Sequence, residues 1–183
     1  MSVYQDILRV LRNGTVVTAP AVEVHQTKLL VAAAAHAAED VLSESASTGA
    51  AQPWFWSGMA RRKGGRGTIT RAIALNTTTA LTPRITVYLY QNLPRCNLLD
   101  NVANTGVINA DRFHYVGRID FPAMEDLGGM SEAIVTPSTS GNLPLRFQCS
   151  DGLDGLFGVS VTRDAVTFTA LDGLLIKFFC EQD

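Results

Sequence analysis

The chain has 183 residues and a mass of 19.7 kDa, with 46% hydrophobic and only 17% charged residues, which excludes a disordered tail and points to one ordered domain. A net charge of −2 argues against general affinity for nucleic acid or anionic membrane. Three cysteines, an odd number without paired spacing, argue against a disulfide scaffold.

The opening residues have two readings. Ser2 and Gln5 have the form of a capping box, and Val3, Ile7, Leu8 and Leu11 share one helical stripe that ends near Asn13-Gly14. Residues 1–20 are therefore expected to form a short helix, or an extended arm lying on a neighbouring subunit, ahead of a single β-sandwich domain over residues 21–183. No basic stretch leads into an apolar run as a secretory signal requires, so the expectation is a chain made in the cytoplasm. The apolar stretch Leu29 to Ala38 is interrupted by His36 and is about half the ~20 residues needed to cross a bilayer. Over Leu29 to Leu42 the alanines favour helix, yet no polar face recurs at helical spacing before Glu39; strand plus loop and helix both remain open there.

Beyond Pro53 a two-residue alternation dominates. Ile69, Ile73 and Leu75 are expected on one face of a strand from Gly67 to Asn76. Ile85, Val87 and Leu89 take one face of the next strand, and Thr86, Tyr88 and Tyr90 the other, which suits a strand covered on both sides or at a subunit contact. Tyr115, Gly117, Ile119 and Phe121 alternate with His114, Val116, Arg118 and Asp120. Leu143, Leu145, Phe147 and Cys149 alternate with Pro144, Arg146 and Gln148, the proline placing that strand at an edge or at its first residues. Phe157, Val159 and Val161 alternate with Gly158 and Ser160, and Leu174, Ile176, Phe178 and Cys180 form the last series. Short strands parted by Gly, Pro, Asn and Asp predict an all-β fold, an antiparallel β-sandwich of jelly-roll type. Asn92 to Phe113, where one helical turn could form at Leu98–Val102 or Ala110–Phe113, and Pro122 to Gly141 are read as long connections, which usually have a task.

The most distinctive local feature is Arg61-Arg62-Lys63-Gly64-Gly65-Arg66-Gly67, four cations in seven residues. No aromatic residue interleaves with them, and the Gly-Lys-Ser/Thr ending of a phosphate loop is missing. Two adjacent strands joined by a glycine turn with a solvated basic tip is one reading; an electrostatic contact with an acidic protein surface is the other. Residues 61–118 hold nine Lys/Arg against Asp100 and Asp111, and residues 120–183 hold ten acids against Arg146, Arg163 and Lys177. If the strands do not interleave these signs in space, the subunit has a basic and an acidic edge suited to head-to-tail contacts. Trp54-Phe55-Trp56 would pack in a core or a subunit interface, or serve as a sugar-stacking platform.

His25, His36 and His114 lack metal spacing and no Cys-x-x-Cys is present, so no metal or other cofactor is expected. His114 shares a strand face with Asp120 but has no serine or cysteine nucleophile in a recognisable turn. Glu125-Asp126, Asp151 and Asp154 do not match a helix-loop-helix calcium site. Cys149 and Cys180 fall on apolar faces and read as small core residues. No residue is assigned a catalytic role, and the chain is read as a non-enzyme.

Three segments, Glu39-Asp40-Val41-Leu42-Ser43, Arg62-Lys63-Gly64-Gly65-Arg66-Gly67-Thr68-Ile69 and Leu81-Thr82-Pro83-Arg84-Ile85-Thr86-Val87-Tyr88-Leu89-Tyr90, resemble small structural proteins encoded beside the major capsid gene of tailed bacteriophages. Val116-Gly117-Arg118-Ile119-Asp120-Phe121 and Leu156-Phe157-Gly158-Val159-Ser160-Val161-Thr162-Arg163 extend the likeness, which begins at about Glu39. The resemblance implies a head decoration, or cement, protein: a jelly-roll-like sandwich, often trimeric, on the outer surface of the virion capsid. It implies the major capsid protein and further copies of the chain as partners, and no specific nucleic acid or membrane. It also favours strand over Leu29 to Leu42. Candidate contact residues are Arg61, Arg62, Lys63, Arg66, Trp54, Trp56, Tyr88 and Tyr90. Two rivals remain: a carbohydrate- or receptor-binding module of a phage tail or similar surface, using Trp54, Phe55, Trp56, Tyr88 and Tyr90, and a sandwich hydrolase or lyase with a pocket at His114.

Overall fold

A computed structural model of the chain describes residues 21–29, 34–44, 51–79, 81–137 and 142–183. The N-terminal helix or arm expected over residues 1–20 lies outside the described residues. The described chain is all-β, and every strand pairing is antiparallel. In order the strands are β1 (Ala21–Leu29), β2 (Ala34–His36), β3 (Val41–Leu42), β4 (Trp54–Trp56), β5 (Arg66–Asn76), β6 (Ile85–Tyr90), β7 (Tyr115–Phe121), β8 (Glu125–Asp126), β9 (Ser131–Val135), β10 (Leu145–Gln148), β11 (Leu156–Thr162), β12 (Val166–Phe168) and β13 (Gly173–Gln182). Between Leu29 and Leu42 the described residues form strands and loop.

A six-stranded sheet has the order β1-β13-β5-β9-β8, with β10 pairing the other half of β5; a five-stranded sheet has the order β3-β11-β6-β7, with β4 also on β11; β2 and β12 form a separate ribbon. The two larger sheets pack face to face through one apolar core. Ile69, Ala72, Ala74, Ile176 and Phe178 come from the first sheet, and Ile85, Val87, Leu89, Ile119 and Leu156 from the second. Trp56 joins the layers directly: its Nε1 donates to the Ile176 carbonyl at 3.1 Å, and its ring lies 4.6 Å from that of Phe178.

The alternation holds in β6 and β13; in β7 it holds from Gly117 to Phe121, but a slip against β6 leaves Val116 over and puts Tyr115, expected beside Gly117, Ile119 and Phe121, in the outer cluster, and in β5 it fails for a like reason. Opposite Phe179 and Cys180 the register slips, so that Arg71 pairs Phe179 and Ile69 pairs Cys180 while Thr70 is left over. A bulge of this kind transfers every later side chain to the other face. Ile69 thus shares the core with Ala72 and Ala74, and Ile73 and Leu75, expected beside Ile69, point to the opposite face.

A second correction concerns β11. Leu156 and Gly158 face the main core, and Phe157, Val159 and Val161 face outward into a smaller apolar cluster with Val41, Tyr88, Tyr90 and Cys96. The connection between β6 and β7 supplies its cover, contributing Cys96, Leu98 and Ile108. The five-stranded sheet is therefore buried on both faces, which is why both phases of β6 and β11 are apolar.

That connection contains turns rather than helix. Asp111 organises it by accepting the Arg95 and Cys96 N–H groups at 2.9 and 3.0 Å, and backbone bonds tie it to Glu39 and Val41. The second long connection is no loop either: it holds the β8–β9 hairpin, whose tip Gly128 has φ +88, a conformation that glycine adopts without a β-carbon penalty. Pro144 immediately precedes β10, which pairs only β5, so that strand is an edge segment.

Candidate functional site: an exposed contact surface and a buried polar triad

The basic turn is a crossover between sheets, not a hairpin between adjacent strands. It leaves β4 in the five-stranded sheet and enters β5 in the six-stranded one. Gly64 N donates to the carbonyls of Ser150 and Leu153 at 3.1 and 2.9 Å, Ala60 N to that of Asp154 at 2.9 Å, and Cys149 N to that of Gly65 at 2.8 Å. Gly64 has φ +70, and a β-carbon there would lie 3.2 Å from Asp151 Oδ1, so a side chain would meet both strain and crowding. The backbone is thus held on the 149–154 loop while Arg61, Arg62, Lys63 and Arg66 extend into solvent. None of the four is in a salt bridge among the described residues. Arg66 also lines a shallow groove of about 430 Å³ with Arg146, Gln91, Gln148, Val116 and Phe147.

Elsewhere the sequence-level charge split is mixed in space. Arg84 forms a two-pronged contact with Asp164, Arg118 meets Asp120 at 3.0 Å, and Arg163 pairs with Glu39. The Arg84 guanidinium and backbone N–H hold the Asp164 carboxyl down at about 2.

Three of the four aromatic candidates are buried. Trp54 and Trp56 are 0% and 1% exposed; they stack on each other at 5.7 Å, and Trp54 Nε1 donates to the Leu42 carbonyl at 2.6 Å. Their alternation in β4 turns both indoles into the core and leaves Phe55 on the other side against Phe157. Tyr90 is fully buried, and burial raises its phenol far above the ordinary value. Tyr88 is half-buried in the same outer cluster. His114 is exposed on the surface beside Asn92.

Two features escaped the sequence reading. Five of the eight exposed large apolar side chains among the described residues, Leu93, Leu99, Val102, Val107 and Phe113, belong to the β6–β7 connection; Phe113 is 76% exposed, with the Arg112 guanidinium over its ring. The inner face of that connection fills the outer cluster while the outer face offers apolar area to solvent.

The other feature is a buried triad. Lys28 Nζ lies 2.7 Å from Asp100 Oδ1, and His36 Nε2 lies 3.7 Å from Asp100 Oδ2. All three side chains are at most 1% exposed. The Ser43 N–H donates to Oδ1 at 2.9 Å, and the edge of the His36 ring stands against Phe168. At 3.7 Å the imidazole is beyond hydrogen-bond range, and Asp100 Oδ2 and both His36 nitrogens have no hydrogen-bond partner among the described residues. Burial pushes the Lys28 amine below its ordinary value despite Asp100. Burial opposes the Asp100 carboxylate too, but His36, Lys28 and the Ser43 N–H outweigh it and hold that carboxyl low. The sequence signal was the phase of β1: Val24, Gln26 and Lys28 share the face that meets Phe178, Ile176 and Leu174.

Among the described residues no cluster of three or more His, Cys, Asp or Glu side chains is arranged to hold a metal ion, and no helix is long and apolar enough to cross a membrane. The chain matches no protein-family model and no curated protein sequence.

Proposed function

We propose that this chain is a structural virion protein, a decoration or cement protein that binds the outer surface of a tailed-phage head and stabilises the shell by adhesion. Its partners in this reading are the major capsid protein and further copies of itself, with a trimer as the expected form, after synthesis in the host cytoplasm. The observation that carries the reading is the β6–β7 connection, which exposes Leu93, Leu99, Val102, Val107 and Phe113 on a segment anchored by Asp111. Apolar side chains gathered on one surface segment suit a protein interface. The four cations of the crossover turn add steering towards an acidic partner.

The strand order supports a jelly-roll form of the sandwich. The first and last strands lie side by side, and the chain alternates between the two sheets, with β1, β5, β9 and β13 in one and β4, β6, β7 and β11 in the other. The segments that resemble decoration proteins correspond to β3 with its flanking residues, to the crossover turn with the start of β5, to β6, to β7 and to β11.

Shell stabilisation follows from mass action. A protein that binds the assembled lattice better than free capsid subunits shifts the equilibrium towards the lattice, and three linked copies multiply modest contacts into high avidity. The glycan-binding alternative required an exposed aromatic platform, and burial of Trp54, Trp56 and Tyr90 counts against it.

The test is electron microscopy and co-sedimentation of particles lacking this chain, before and after adding it. Added density on the exterior where capsomers meet, lost in a Leu93→Ser/Phe113→Ser variant that still folds, is the expected result. Identical maps and no co-sedimentation would refute the proposal.

A further inference from the structure

Lys28 lies near the end of β1, the edge strand of the six-stranded sheet, and Asp100 lies in the connection that covers the five-stranded sheet. The two side chains meet inside the protein, in contact at 2.7 Å across 72 residues of sequence. A buried ion pair is costly, because desolvation of both charges offsets much of their attraction. Moving one proton from the amine to the carboxylate gives the neutral pair, amine beside carboxylic acid. It is also a nucleophile beside an electrophile.

We propose that Lys28 and Asp100 condense to an intramolecular amide, an isopeptide cross-link joining β1 to the β6–β7 connection, with His36 as the proton carrier. Each atom of the triad has a part in that step. One proton of the Lys28 ammonium is relayed by His36 to Asp100 Oδ2, and the freed lone pair attacks Cγ. Negative charge develops on Oδ1, which already accepts the Ser43 N–H at 2.9 Å, a preorganised donor of the kind that stabilises tetrahedral oxyanions. His36 Nε2, 3.7 Å from Oδ2, takes a second proton from the nitrogen and delivers it to Oδ2. The Cγ–Oδ2 bond then breaks and Oδ2 departs as water. Of the three ammonium protons two leave in the water and one stays on the amide, so the step needs no oxidant, reductant or further reactant.

This assignment also accounts for the orphaned atoms. Asp100 Oδ2, without a hydrogen-bond partner among the described residues, is the oxygen that leaves. The imidazole nitrogens, equally without one, are free to carry a proton. Holding amine and carboxyl in contact replaces a bimolecular encounter, an advantage equivalent to about 10⁵ M or more in well-oriented systems. Exclusion of bulk water by the surrounding core disfavours the reverse hydrolysis. The inference stands independently of what the protein's outer surface binds.

Intact mass spectrometry of the denatured full chain tests it. The wild-type protein is expected to be one water lighter than its sequence, and a protease digest to yield a branched peptide linking Lys28 to Asp100. Lys28→Met should restore the full mass. Asp100→Asn should lose ammonia in place of water, and His36→Ala should slow the loss at least tenfold. An unmodified wild-type mass after prolonged incubation overturns the proposal, as does a water loss that the digest places elsewhere, for instance at an Asp-Gly pair. Because the decisive reading is on wild-type protein, a variant that fails to fold does not blunt it.

Discussion

The indole of Trp56 occupies the space that a β-carbon at Gly158 would need, on the inner face of two strands that pair Trp54 with Gly158 and Trp56 with Leu156. Glycine in the middle of a strand ordinarily weakens it, so its presence in β11 is explained by the ring seated on it. Gly158→Ala should destabilise the fold by about 1–3 kcal/mol, the usual cost of overpacking, measured as a lower urea midpoint. A variant as stable as wild type would show that Trp56 can move aside.

The bulge in β5 makes neighbouring apolar residues unequal. Ile69 is fully buried ahead of the slip, and Leu75, beyond it on the outer face, is only partly covered. Ile69→Ala should cost about 2–5 kcal/mol and Leu75→Ala about 1 kcal/mol or less. Equal losses in chemical unfolding would mean that the strand alternates without interruption.

Asp164 supplies a pH dependence whose direction can be worked out. Hydrogen bonds from Arg84 depress its folded value to about 2, below the ordinary 3.8 of an aspartate. The pair therefore contributes its stability in full above about pH 4, and that contribution fades as pH falls from there through 2. Both groups are partly solvent-exposed, so the effect is small. The difference in unfolding midpoint between wild type and Asp164→Asn should shrink over that window; a difference that grows on acidification would contradict the assignment.

The three thiols should be inert in the folded state. Cys96, Cys149 and Cys180 are buried and free, and burial pushes Cys149 up to about 11 and Cys180 up to about 12. The thiolate is the reactive form. A thiol reagent at neutral pH should therefore label none of them until the protein unfolds, and rapid labelling of native protein would show that the core opens locally.

The crossover turn separates adhesion from folding. Arg61→Ser/Arg62→Ser/Lys63→Ser should leave stability within about 0.5 kcal/mol of wild type, because the three side chains are exposed. In the proposed role the same variant should attach more weakly to shells and lose part of the salt dependence of attachment. Unchanged attachment would reduce the cations to a solvated tip.

The strands β6 and β13 were legible from alternation because their own side chains keep an unbroken period of two, whereas in β7 the residue left over at Val116 moved Tyr115 to the other face. In β5 the same rule failed at Thr70, where the slip is a property of the ladder with β13 and leaves no mark in the residues of β5 alone. In β11 it misassigned the faces, since Phe157, Val159 and Val161 are as apolar as a core series and only the β6–β7 connection shows that a second cluster covers them. The cations of the turn were legible as a cluster; that they cross between sheets was not.

From the order of residues alone came the antiparallel all-β class, the places of most strands and the exposed basic tip, because turn chemistry and side-chain alternation are local. Which face each strand buries, that both tryptophans lie inside, and that Lys28, His36 and Asp100 converge were decided only by tertiary pairing. Burial depends on what the distant parts of the chain lay over a residue, and a period of two offers two faces without saying which of them will be covered.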